Sequence, residues 1–243
     1  MKCLSIDIET TGLNTKTSEI LEVGLVAFDT EVPFKGVNKY NTLRILMVKN
    51  EWRGETYALN LNKKIIEEIL QAQKLFKDDP TKEFVIGYTS EMAVKNSEAD
   101  YPTVYLNVDA EGHAPVLRPS FPVGSVIQKE LKFKDVVNQF LSQNKFDGRI
   151  TVAGKNFAGF DAKFLQDNYL FGENFMSKFR HKVLDPGSMY VLPEDDQVPG
   201  LPLCLERAGL PSEVPHTAVD DAVLVIKCIQ AKLLNGIGPL SGV

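Results

Sequence analysis

Apolar residues fall along this chain in two patterns, strand-like towards the N-terminus and helix-like further on. Cys3 to Ile8 is a short β-rich run that ends in acids. Ile20 to Phe28 (ILEVGLVAF) is apolar almost throughout, which predicts a strand central in its sheet. Asn41 to Val48 predicts a third strand. Two turn-like stretches, Gly12 to Ser18 and Thr30 to Lys39, separate the three. Consecutive strands with no helix between them imply an antiparallel meander.

The pattern then changes period. Leu61 to Leu75 predicts a helix with Ile65, Ile66, Ile69 and Leu70 on its apolar face and Asn60 or Asn62 as its cap. Leu131 to Leu141 predicts a second amphipathic helix. Arg149 to Ala153 predicts a short strand stopped by Gly154. Ala158 to Tyr169 predicts a helix with Phe160, Phe164 and Leu165 on one side. Leu201 to Ala208 predicts a short helix ending at Gly209. Thr217 to Leu234 predicts a longer one, with Val219, Val223, Ile226 and Leu233 near helical spacing. Strands first, then helices with one more strand among them, make a mixed α/β pattern. The segment from about Asp78 to Gln128 carries alternating apolar residues at Glu83 to Thr89 and Thr103 to Val108, with several prolines. It reads as a β-rich insertion in a single domain, being too long for a structureless loop. It is open to three uses: shaping substrate choice, binding a protein partner, or making a homodimer contact.

Composition narrows the class. The chain has 243 residues, 44% hydrophobic and 24% charged, which are ordinary globular values. No apolar run reaches the roughly 20 residues that span a bilayer. The first residues carry acid where a signal peptide would be apolar, so the expected location is cytoplasmic. Cys3, Cys204 and Cys228 are odd in number and widely spaced, which excludes a disulfide framework or a zinc ribbon. The net charge of -5 is unlike that of a simple electrostatic nucleic-acid binder. It is compatible with a carboxylate cluster that holds divalent cations.

Such a cluster is visible in three pieces. Asp7 and Glu9 stand two apart on the first strand, so both carboxylates share a face. Side by side on a buried strand they repel, unless a cation lies between them. Thr10-Thr11-Gly12-Leu13 follows as a polar turn. The second piece, Lys155 to Leu165, follows a strand and opens a helix, with Asp161 in its first turn and Asn156 in the turn before it. The third is His216-Thr217-Ala218-Val219-Asp220-Asp221-Ala222. Ala218 and Ala222 form a small-residue stripe that lets the last helix approach the sheet. Asp7, Glu9, Asp161 and Asp221 together could hold two divalent cations roughly 3.5–4 Å apart, a clamp for phosphodiester hydrolysis. All-oxygen ligands favour Mg²⁺ or Mn²⁺. A histidine beside them, His216, suits a general base.

These motifs resemble the DEDDh 3′–5′ exonucleases of the ribonuclease H-like superfamily, which include proofreading subunits and ribonuclease T. Asp7-Ile8-Glu9-Thr10-Thr11-Gly12-Leu13 is similar to the first family motif, Asn156 to Leu165 to the second, and His216, Ala218, Asp221 and Ala222 to the third. The order is the family's. Asn156 lies five residues before Asp161, where many members have four. The resemblance implies a mixed sheet of an antiparallel three-strand meander plus parallel strands, flanked by helices. It implies that Asp7, Glu9, Asp161 and Asp221 hold two metals and that His216 is the general base. It implies that Thr10, Thr11 and Leu13 seat the 3′ end, with Leu13 against the terminal base, and that Asp220 faces solvent. The expected activity is release of nucleoside 5′-monophosphates from the 3′ end of DNA or RNA.

Further expectations concern nucleic acid. Lys178, Arg180, His181 and Lys182 form a basic stretch, and Lys155 and Lys163 flank Asp161; all are candidates for phosphate contacts. Phe157 and Tyr190 are candidates for stacking on bases, and Asn156 with Phe157 is a candidate substrate contact. The acidic balance favours single-stranded or short 3′ ends over a long duplex. The competing reading is a catalytically quiet nucleic-acid-binding or partner-binding module on the same fold, since fold alone does not fix function.

Overall fold

The structure, a computed structural model, describes residues 1–38, 40–48, 52–78, 103–107, 133–167 and 175–234. The expected meander is present as β1 (Lys2–Thr10), β2 (Ile20–Asp29) and β3 (Thr42–Val48), each pairing antiparallel with the next. The Thr103 to Val108 stretch supplies β4 (Thr103–Asn107), parallel to β3, and β5 (Thr151–Ala153) runs parallel to β1. Among the described residues the sheet has five strands in the order β4-β3-β2-β1-β5. The apolar run of β2 is therefore central, as its composition requires. Residues 79–102 and 108–128 of that region, Glu83 to Thr89 among them, lie outside the described residues.

Helices cover both faces. On one face α3 (Phe133–Gln143) and α4 (Asp161–Asp167) bury Val137, Phe140, Phe164 and Leu165 against Leu4, Ile6, Val23, Leu25 and Ile45. The opposite face carries α5 (Pro186–Tyr190), α6 (Leu201–Arg207) and α7 (Ala218–Leu234), packed on Cys3, Val26 and Phe28. Beside them α2 (Lys63–Asp78) sets Ile65 and Ile69 on Leu46. Alternate residues of β1 point to the two faces, so Leu4, Ile6 and Ile8 enter one core while Cys3 enters the other.

Several boundaries differ from the sequence expectation. The helix expected from Leu61 is two helices, α1 (Thr56–Leu61) and α2, broken at Asn62. Leu70 is 50% exposed, off the buried stripe, and Leu233 is 47% exposed near the end of α7. The helix expected from Ala158 begins at Asp161, because Asn156 has φ +56 and holds the preceding residues in a turn. The short helix α5 was not legible beforehand; Asp185 caps it by accepting from the Gly187 amide at 2.7 Å. The short helix ending at Gly209 does so by the expected device, a glycine at φ +71. All three cysteines are buried and free. No helix among the described residues is long and apolar enough to cross a membrane.

Candidate active site

The three acidic pieces converge at the C-terminal end of β1. Asp7 and Glu9 project to the α7 face, opposite Gly24 and Glu22 of β2 in register. The pairing shifts just after Glu9, where Thr10 partners Ile20 and Leu21 is left over, a bulge at the rim of the site. Asp161, the first residue of α4, comes over the end of the sheet from the other face. Its Oδ1 accepts the Ile8 amide at 3.1 Å, and it is 3% exposed.

α7 brings the third piece. Gly24 is what lets it close: a Cβ there would lie 2.5 Å from the Ala218 carbonyl and 2.6 Å from the Val219 amide nitrogen. Ala218 and Ala222 are fully buried at this contact, and Ser5 Oγ donates to the Ala222 carbonyl at 2.9 Å. The small-residue stripe thus does what its spacing suggests. Asp221 is buried and His216 is exposed, and ligand atoms of Glu9, His216 and Asp221 all lie within 4.8 Å of one another. His216 has φ +56, a costly conformation for a residue with a Cβ, and its amide donates to the Asp221 carboxylate. Asp220 is exposed and accepts from Thr217 Oγ1 at 2.6 Å.

The electrostatics are those of crowded, desolvated acids. Burial pushes the Glu9 carboxyl up to about 8, with Asp221 and Glu22 adding to it. Burial lifts Asp161 to about 7 against the opposing help of its own amide and that of Ile8. Burial also lifts Asp221 to about 7. Asp7 is raised well above the carboxylate range by desolvation, then by Asp161, Asp221 and Glu9. Asp221 Oδ1 is buried with no hydrogen-bond partner. Acids held this way lack positive charge, and an orphaned carboxylate oxygen lacks a partner; a divalent cation satisfies both needs.

The residues expected to contact substrate divide. Leu13 is 75% exposed, its amide donating to Glu55 Oε1 at 3.0 Å. Tyr57, two residues beyond Glu55, is 77% exposed. Thr10 and Thr11 are buried and occupied. Thr10 Oγ1 donates to the Gly12 carbonyl at 2.7 Å, while Thr11 Oγ1 donates to the Arg53 carbonyl and accepts from the Glu19 amide. Their side chains hold the turn instead of facing outward. Asn156 is exposed, and its amide donates to Asp185 Oδ2 at 2.9 Å. Phe157 is a correction: it is 3% exposed and packs edge-on to Phe179 in the core, so it offers no face for stacking. Tyr190 is also buried, its hydroxyl donating to the Cys228 carbonyl. Lys155 lies 4.0 Å from Asp185, and Lys178 is engaged with Asn138.

Sequence reasoning missed four supporting features. Gly24 had a signal, an isolated glycine inside a central strand. Arg44 bridges Glu22 and Glu68, both at 2.8 Å, behind the acidic cluster. Asn62, expected as a helix cap, sends Nδ2 to the Thr10 carbonyl at 2.9 Å and supports the Glu9 carboxylate. Asp185 ties the start of α5 to the loop before Asp161. The last three needed the tertiary structure.

No family model matches the chain, and no curated protein matches it in sequence. Among solved structures it is similar to the crystallographic structure of the nuclease domain of 3′hExo, a DEDDh family member, bound to rAMP. The TM-score is 0.50, with 14% sequence identity, over 97% of this chain and 92% of that one. At this identity the likeness is one of fold: the chain shares with that domain a mixed α/β architecture, a sheet of antiparallel and parallel strands flanked by helices.

Proposed function

We propose that this chain is a metal-dependent 3′–5′ exonuclease acting on single-stranded or short nucleic-acid ends and releasing nucleoside 5′-monophosphates. The observation that carries the reading is the convergence of Glu9, Asp221 and His216, beside Asp7 and Asp161, with Asp221 Oδ1 left unpartnered. In this reading Asp7, Glu9, Asp161 and Asp221 hold two Mg²⁺ or Mn²⁺ ions, as hard oxygen donors suit. Bound divalent cations supply charge neutralisation and polarisation of a phosphodiester and of water.

The chain's own residues do the rest. His216, exposed beside the acids, takes a proton from the attacking water on a ring nitrogen. The Ile8 and His216 amides orient Asp161 and Asp221. Leu13 and Tyr57 present apolar surface near the turn that follows β1, where a terminal base would rest. The test is incubation with 5′-labelled single-stranded DNA and RNA of one sequence, with Mn²⁺ or Mg²⁺, beside Asp7→Ala. The expected result is a ladder shortening from the 3′ end, absent from the variant and from EDTA. Equal activity of the variant would overturn the assignment.

A further inference from the structure

The other end of the sheet carries charge of the opposite sign. A cleft of about 500 Å³ lies at the N-terminal edge of β1 and β5, lined by Lys2, Lys145, Arg149, Arg180 and Lys182. Asp147 is the one carboxylate in its lining, in a chain whose net charge is -5. All five cations are exposed, and among the described residues none of them is in an ion pair with a carboxylate. Two of them are held in place by their polar ends. Lys2 Nζ donates to the Asn144 carbonyl at 2.7 Å and stands 5.8 Å over the Phe146 ring. Arg180 Nε donates to the Arg149 carbonyl at 3.1 Å, which leaves the outer guanidinium nitrogens free of that bond.

The carrying loop is shaped for this. Lys145 at φ +53 and Gly148 at φ +82 turn the chain sharply between α3 and β5, so Lys145, Phe146 and Arg149 line one wall. Residues 179–184 run beside β5, with Ile150 bridging Phe179 and Ala153 bridging Leu184, and supply the other wall. A concave surface lined by one sign of charge focuses its field on a counter-ion. Unpaired like charges gathered in a cleft repel one another unless an anion joins them. Arginine and lysine donors together match phosphate oxygens.

We propose that this cleft is a second phosphate-binding site, taking the phosphate groups of a nucleotide or of an oligonucleotide strand. It is separate from the carboxylate cluster: Lys2 and Asp7 are five residues apart on β1, ~17 Å at the strand rise. The basic residues Arg180 and Lys182 thus act at the edge away from the acids.

The test uses the Asp161→Asn chain in EDTA, so that neither cleavage nor added metal contributes. Anisotropy of a labelled single-stranded 20-mer is titrated at several salt concentrations, with and without Lys145→Glu plus Arg149→Glu. The expected result is at least a tenfold loss of affinity and a shallower dependence on salt, since each strand phosphate contact contributes a slope of roughly 0.7. Unlabelled adenosine 5′-monophosphate and inorganic phosphate are added as competitors. Where the double variants lose affinity, competition by the mononucleotide or by phosphate identifies a site for a single phosphate group, and resistance to both identifies a site that needs a strand; each supports the proposal. Lys145→Gln plus Arg149→Gln, which removes charge without reversing it, should show a smaller loss. Affinity and salt slope unchanged in both double variants would overturn it. Because nothing here depends on turnover, failure of the nuclease reading would be seen separately.

Discussion

Gly24 and Ala218 meet backbone to backbone, with no room for a side chain between β2 and α7. That contact sets the height of α7 over the sheet and therefore the distance of Asp221 and His216 from Glu9. Gly24→Ala would push against the main chain of Ala218, not against a flexible side-chain end. Overpacking of this kind costs about 1–3 kcal/mol. Urea denaturation should show a loss in that range, with a larger proportional loss of turnover; wild-type stability and rate would mean that α7 is not set by this contact.

Metal and pH should be linked in the stability of the protein. Carboxyls titrate near 4 in an unfolded chain, whereas Glu9 is held at about 8 and Asp161 and Asp221 at about 7. Between those limits the folded, metal-free protein binds more protons than the unfolded chain. Its stability therefore falls as pH rises from about 4 to 8. Calorimetry in EDTA should show Tm falling across that window, and Mg²⁺ or Mn²⁺ should raise Tm most at the alkaline end. A Tm in EDTA that is flat or rises from pH 5 to 8 would contradict the crowding described here.

Replacing one acid should separate stability from activity. Asp221→Asn removes a buried charge whose Oδ1 has no partner, so it should raise the metal-free Tm at pH 8 while abolishing turnover. A lowered Tm at that pH, measured in EDTA, would show that the charge is compensated in some other way.

His216→Ala should lower turnover by roughly 10²–10⁴-fold, the ordinary contribution of a general base. Because the side chain is exposed, the metal-free Tm should scarcely change. The pH–rate profile distinguishes roles: loss of the neutral-pH limb marks a base, whereas an unchanged profile with weaker metal binding marks a ligand.

Arg44 should matter for folding more than for chemistry. Its guanidinium is the cation beside Glu22, which is 0% exposed and whose carboxyl burial already raises. Removing one partner of a buried pair costs about 3–5 kcal/mol. Arg44→Met should show a loss of that order in chemical denaturation, and adding Glu22→Gln should recover part of it. Additive losses in the double variant would argue against the pairing.

Much of this site was legible in the chain. The two-residue spacing of Asp7 and Glu9 fixes them to one face of any strand, and the Ala218 and Ala222 stripe fixes the close-packing side of the last helix. The run of Ile20 to Phe28, apolar but for Glu22 and Gly24, suits an interior strand. These are local consequences of backbone period, and they survive whatever the rest of the fold does. Leu70 and Leu233 were misread because helical spacing tells which residues share a face but not how far the sheet beneath extends.

What needed the tertiary structure was every relationship between segments distant in sequence. Phe157 looks the same in sequence whether it faces solvent or core; packing against Phe179 decided it. Thr10 and Thr11 were polar and near the acids, yet the carbonyls of Gly12 and Arg53 claimed their hydroxyls. The scattered Lys2, Lys145, Arg149, Arg180 and Lys182 form one cleft only because β1, β5 and the strand-like 179–184 segment run parallel and bring their starts to the same edge. Residue type and period are properties of the local chain. Proximity, desolvation and the competition for hydrogen-bond partners belong to the folded whole.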